Sequence, residues 1–386
     1  MNRRRLVHLS WLFISTSLSL WSSAVPSEGQ ALRDRDCAFL AETTVPMQRL
    51  SAMARGFNLP GWLDGKETRR PNAATLAMLH QRGFTHVRLP VTPERLLPAF
   101  SAAADIARDR EELDAAIELL ISIGFSVSLD LHPGERFGHL HAAEPDRALG
   151  LIHALWRDLA RHFGAYRPDR LFFEVLNEPA SRRSWEKQGP QIAATVRANA
   201  PNHTIIYGTA EFQQIDALPS IPLSLPNVVY AVHYYAPMVF THQGLNWSDD
   251  PLRDLHGVPF PASRSDPGVD RLLGELRATS RDAAANLLET ALRHSWDENR
   301  VAAEVRRAGE WAKRHRKPVL LNEFGVLAWK APAPDRLRWL TTVRRSAEQV
   351  CVGWAHWDYA DAFGFVHRVG DNEIPDQAAL RALLGD

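Results

Sequence analysis

From Arg55 onward, short apolar runs alternate with longer stretches whose apolar residues recur every three or four positions. The short runs predict strands over 55–59, 86–90, 126–132, 171–177, 204–208, 228–235, 318–323 and 352–359. Several are almost continuously apolar, as in Leu171-Phe172-Phe173-Glu174-Val175-Leu176, the pattern of parallel strands covered on both faces. Between them, Leu113, Ala116, Ile117, Leu120 and Ile121 mark one helical face, and Leu151, Leu155, Leu159 and Phe163 mark another. Strands alternating with helices eight times over predict an α/β protein with a closed (β/α)8 barrel. No glycine-rich dinucleotide fingerprint follows the first strand, which speaks against an open doubly wound sheet. One long irregular span, 236–295, follows the sixth strand, and a helical pattern over 270–293 predicts an insertion with structure of its own.

The first residues follow a different pattern. Arg3, Arg4 and Arg5 precede an apolar stretch from Leu9 to Leu20, and Ser22-Ser23-Ala24 supplies small residues for cleavage. This is the layout of a secretory signal peptide, too short and Ser-rich for a membrane span. The expected organisation is therefore a leader over 1–24, an extension over 25–50 and one barrel domain over 51–386, with a secreted or periplasmic destination. Lys plus Arg balance Asp plus Glu, 45 against 45, and loss of the three leader arginines would leave about −3. Such a surface gives no electrostatic reason to expect a nucleic-acid or membrane partner. Cys37 and Cys351 are compatible with an oxidising compartment; either they pair, or Cys351 is simply buried.

The polar residues fall in informative places. Arg88, His132, Asn177, Glu178, His233, Tyr235, Glu323 and Trp357 all stand at or just beyond the C-terminal ends of predicted strands, where a barrel gathers its active-site residues at one mouth. A carboxylate there is costly to bury without a partner or a purpose. Glu174, four residues before Glu178 in the same strand, reads as a deeper ion-pair partner. His139 and His141 form a His-x-His pair, but beyond strand three and with no accompanying carboxylate set, so a metal-dependent hydrolase is the weaker reading.

Leu176-Asn177-Glu178-Pro179 followed by Leu321-Asn322-Glu323-Phe324-Gly325 resembles glycoside hydrolase family 5, the cellulase-containing family of retaining barrels. Arg55-Gly56-Phe57-Asn58-Leu59, Val87-Arg88-Leu89-Pro90, Asp130-Leu131-His132, His233-Tyr234-Tyr235 and Gly353-Trp354-Ala355-His356-Trp357 resemble its segments in the same order. The resemblance implies Glu178 as acid/base and Glu323 as nucleophile in a double displacement that needs no metal or cofactor. It further implies Asn177 on the sugar 2-hydroxyl, Arg88 and Tyr235 on Glu323, His132 and His233 on the sugar or the acids, and Trp357 beneath the sugar. Glu178 should be kept protonated by the neighbouring charge of Glu323.

Sugars stack on indoles, so Trp62 and Trp329, after strands one and seven, are candidate platforms, with Trp247 in the insertion. Trp156, Trp311 and Trp339 lie in helical patterns and read as packing. Phe240-Thr241-His242-Gln243-Gly244 with Trp247 is similar to a stretch of β-glucan-cleaving members, which points to an endo-β-1,4-glucanase acting as a monomer on a polysaccharide. The same mechanism on β-mannan, β-1,3-glucan or a terminal β-glucoside is the alternative, and a glycan-binding protein without turnover the alternative of another class. His132 is followed by Pro133-Gly134-Glu135, where many cellulases would carry a second aromatic or histidine.

Overall fold

The computed structural model describes residues 37–65 and 68–385; the leader expected over 1–24 and the start of the expected extension lie outside them. Eight parallel strands close into a barrel: β1 (Arg55–Asn58), β2 (His86–Val91), β3 (Ser126–Leu131), β4 (Leu171–Glu174), β5 (Ile205–Gly208), β6 (Val228–Tyr234), β7 (Val319–Phe324) and β8 (Gly353–His356). β1 pairs with both β2 and β8, which completes the ring. All eight expected strands form. β4 and β8 stop three residues early, because the chain leaves the ladder to build the mouth. Beyond β4 the Val175 N–H still donates to Ile206 and the Asn177 N–H to Leu131, until Glu178 turns left-handed at φ 46°.

Helices pack outside the barrel with their apolar faces inward. Pro145–Phe163 buries Ala148, Ile152, Leu155, Trp156, Leu159 and Phe163 at helical spacing. Its Trp156 N–H donates to Val175. Trp311 and Trp339 are likewise buried in helices, as their periodicity indicates. Inside the barrel, Phe172, Ile206, Val229, Ala231 and Leu320 form a separate apolar cluster, plugged from below by Val45 and Met53. His86 lies beside this cluster, its ring 6.1 Å from that of Phe172, and Ser126 donates to the Ala52 carbonyl at the bottom.

Between β6 and β7 the insertion holds the short helix Met238–Thr241 and the helices Pro267–Ala278 and Asp282–Ala291, so the single helical span expected there is two. Buried Gln243 braces it, donating to Phe240 and Val258 carbonyls and accepting from the Val258 N–H. An antiparallel hairpin, β9 (Val366–Val369) and β10 (Asn372–Pro375), follows β8 and had no counterpart in the sequence reading. Among the described residues no helix is long and apolar enough to cross a membrane.

Cys37 and Cys351 are joined as a disulfide with a Cα separation of 5.7 Å, which decides between the two readings left open. The bond ties the segment below the barrel to the residue two positions before β8, across 314 residues of chain. Cross-links over long loops restrict the unfolded chain strongly, by about 2–5 kcal/mol. Reduction should lower the melting temperature by about 3–6 °C for a protein of this size, read by calorimetry with and without dithiothreitol; an unchanged melting temperature would show that the link does not limit unfolding.

Candidate active site

Alternation along the strands sends every second side chain into the barrel, and the polar ones rise in tiers toward the mouth. In the lowest tier His86 bonds Ser126 and Ser128 hydroxyls at 2.8 and 3.0 Å. Burial, aided by the Arg88 charge, pushes its pKa down to about 3, so it is neutral.

Arg88 makes the next tier and is completely buried. Its Nε and Nη2 donate to the two oxygens of Glu174 at 2.7 and 2.9 Å. Nη1 donates to Asn58 at 2.9 Å and to Glu323 Oε1 at 2.6 Å, and Nη2 reaches Asn177 Oδ1 at 2.8 Å and Asp130 Oδ2 at 2.9 Å. One guanidinium thus gathers three buried carboxylates. Glu174 is the deep ion-pair partner expected of it; burial pushes its carboxyl up to about 7, against the pull of Arg88.

His132 stands at the end of β3 with Nδ1 2.8 Å from Asp130 Oδ2 and its ring stacked on Trp357, centroids 5.6 Å apart. Because Arg88 occupies Asn177 Oδ1, the Asn177 amide N–H faces His132 Nε2 at 3.2 Å. Burial alone would lower the His132 pKa, but the hydrogen bond and charge of Asp130 push it up to about 9, so Nδ1 holds a proton toward Asp130 and the ring is cationic at neutral pH. The departure at Pro133-Gly134 also has a local cause. Glu94 accepts from the Gly134 and Phe137 N–H groups and caps the helix Glu135–Ala143. A side chain at Gly134 would come within 2.7 Å of that carboxylate.

The uppermost tier carries the two glutamates. The Tyr235 hydroxyl donates to Glu323 Oε2 at 2.9 Å. His233 Nδ1 lies 2.9 Å from Glu178 Oε1 and 3.4 Å from Glu323 Oε2, and burial pushes its pKa down to about 4. One oxygen from each glutamate and a nitrogen of His233 all lie within 4.8 Å of one another. These atoms could also meet a divalent cation, although double displacement requires none. Separations of about 5–5.5 Å belong to retaining glycosidases, and about 6.5–9.5 Å to inverting ones.

Glu323 is nearly buried, while the Glu178 side chain keeps 36 % exposure at the cleft floor. The Glu178 carboxyl is held above the usual carboxylate range, chiefly by burial, with His132 and Arg88 opposing. Burial, and not the charge of Glu323, is the largest cause, which corrects the expectation from sequence. An acid must be protonated to donate, so a raised value carries activity to higher pH. The alkaline limb of kcat/KM should therefore lie above about pH 4.3, the ordinary glutamate value. The parent enzyme should show that limb on an unactivated substrate and lose it on one whose leaving group needs no proton; its persistence on the latter would assign it to another group.

The mouth opens into a cleft of about 790 Å³ lined by Glu178, Phe212, His233, Tyr235, Met238 and Trp247, among others. Phe212, Met238, Trp247 and Trp329 expose about half of their surface, and Trp247 meets Trp329 edge to face. Trp62 does not belong to this set. It is 2 % exposed, with its N–H on Glu112, and offers no face to a sugar. His139 and His141 lie on the helix Glu135–Ala143, where His141 Nε2 is 3.0 Å from Gln188. Sequence reasoning quoted Asp130, Asn58 and Asn322 without giving them roles, and missed Phe212 and Met238. Asp130 was within reach, since it is two residues from His132 on the inward face of β3.

Comparison with known proteins accords with this geometry. Residues 43–360 match the profile of cellulase, glycosyl hydrolase family 5. The chain belongs to that family. It is 27 % identical over 357 residues to endoglucanase 3 of Fibrobacter succinogenes, covering 84 % of this chain but only 53 % of that protein. Endoglucanase C of Acetivibrio thermocellus is 23 % identical over 325 residues, covering 79 % and 90 %. The family 5 barrel also superposes on endoglucanase Cel5A from Thermotoga maritima, with a TM-score of 0.68, 24 % identity and coverage of 88 % and 99 %. At that identity the likeness speaks for the fold.

Proposed function

We propose that this family 5 chain is a secreted or periplasmic, monomeric endo-β-1,4-glucanase that works by double displacement. The observation carrying the reading is that one oxygen of Glu178 and one of Glu323 lie within 4.8 Å of each other at the barrel mouth, which supports the close pairing of carboxyls that retention needs. Glu323 attacks the anomeric carbon, and its C–O bond forms as Glu178 gives a proton to the departing glycosidic oxygen. Water then enters, Glu178 takes its proton, and the glycosyl–Glu323 bond breaks. Arg88 and Tyr235 orient Glu323 for attack. Asn177 is held by Arg88 and His132 where the sugar 2-hydroxyl would lie, and Trp357, backed by His132, supplies a stacking face. No step needs a metal or cofactor.

Endo action is supported by the spread of exposed apolar side chains along the cleft, from Phe212 and Met238 to Trp247, with Trp329 against Trp247 beyond it, which suits a polymer passing through. The names of the curated relatives point to β-glucan as well. The leader pattern and the disulfide support export. The reading is tested by following viscosity and reducing ends together on β-1,4-glucan, β-1,3-glucan and β-mannan. Rapid viscosity loss on the β-1,4-glucan before monomer accumulates is expected. Monomer release alone, or action confined to another glycan, would replace the substrate while keeping the mechanism. Binding without turnover would overturn both.

A further inference from the structure

Directly after β5, Glu211, Phe212 and Gln213 have φ of 54°, 59° and 57°. Three successive non-glycine residues in the left-handed region are unusual, because Cβ crowds the backbone there. What the turn achieves is visible in Gln213. While Phe212 beside it is exposed to the cleft, Gln213 is folded back and completely buried. Its Oε1 accepts from the backbone N–H of Glu178 at 2.8 Å. Its Nε2 donates to Asn322 Oδ1 at 3.5 Å, and Asn322 Nδ2 donates in turn to Glu174 Oε1 at 2.9 Å. Gly208 at the end of β5 leaves the room required, since a Cβ there would stand 2.8 Å from Gln213 Cδ. Glu178 is itself left-handed at φ 46°, so its backbone holds an unfavourable conformation against this one carboxamide.

We propose that Gln213 is a positioning residue for Glu178, linking the backbone of the acid/base to the residue beside Glu323 and so fixing the distance between the two carboxyls. The inference rests on Glu178 being the acid/base. A buried amide needed only for packing would not require three left-handed residues to deliver it. Its acceptor is spent on the one N–H whose placement sets where the Glu178 carboxyl points.

The test compares Gln213→Met with Glu178→Gln on two cellobiosides, one with a 2,4-dinitrophenolate leaving group that departs without a proton, the other with an unactivated sugar alcohol. The parameter is kcat/KM, which reports the steps up to glycosyl transfer. For Gln213→Met, a fall of about 10²-fold on the unactivated substrate and of less than about threefold on the dinitrophenyl one is expected, since the loss is one of proton donation. Equal falls on both substrates, or none, would overturn the proposal. Should Glu178→Gln fail to show the leaving-group contrast, the acid/base assignment falls instead. If Gln213→Met does not fold, Gln213→Glu keeps the volume and the acceptor but alters the link to Asn322, and the same contrast, in smaller measure, is expected of it. Loss of fold in both variants would make Gln213 a packing residue and end the proposal.

Discussion

Replacing Glu323 by Ala should lower kcat/KM on β-1,4-glucan by at least about 10⁴-fold, the scale on which loss of a covalent nucleophile is felt, without lowering the melting temperature. Both halves follow from the same cluster. Among the described residues no other carboxylate stands where Glu323 does: Glu174 is fully buried beneath it and committed to Arg88 by two bonds, and Asp130 is held by Arg88 and His132. Neither can reach the sugar. Yet Arg88 is one cation among three buried carboxylates, so removing one relieves like-charge crowding while the guanidinium keeps two partners. Active sites commonly trade stability for function in this way. Steady-state kinetics and calorimetry on the same preparation check it. A variant that loses activity because it melts well below the parent would show Glu323 to be structural.

Arg88→Ala should fail for the opposite reason. Asp130 and Glu174 are completely buried and Glu323 nearly so, and without the guanidinium they are left uncompensated. Breaking a buried pair in this fashion costs about 3–5 kcal/mol, or about 4–6 °C in melting temperature for a chain of this length, and activity should be lost with it. Arg88→Lys separates charge from geometry. A single ammonium cannot reproduce the fork that spans Glu174, Asn58, Asn177 and Glu323. Stability should be partly restored, with kcat still down about 10²-fold through misplacement of Glu323 and Asn177. Full activity in Arg88→Lys would mean that the fork is not what aligns the nucleophile.

The barrel was legible because its strands are short, apolar and separated by helices with clear faces, so that polar residues at strand ends stand out. Arg88, Asn177, Glu178, His233, Tyr235 and Glu323 are brought together where alternation and the barrel rule place them. What sequence could not supply was depth and backbone conformation. Trp62 follows β1 just as Trp329 follows β7, but only the structure distinguishes the indole turned into the core from the one left at the cleft. Gln213 was invisible because a left-handed turn of ordinary residues has no signature in composition. The raised pKa of Glu178 was foreseen, but assigned to a neighbouring charge, since burial at a cleft floor is a property of the assembled mouth.

The most direct test of the two-glutamate account is to incubate the protein with a 2-deoxy-2-fluoro-β-cellobioside bearing a good leaving group and to map the labelled peptide by mass spectrometry. The fluorine slows the second displacement and lets the glycosyl–enzyme accumulate. The account predicts time-dependent inactivation with one glycosyl group on Glu323 and none on Glu178. A label on any other residue, or normal turnover giving product of inverted configuration with no label at all, would contradict it.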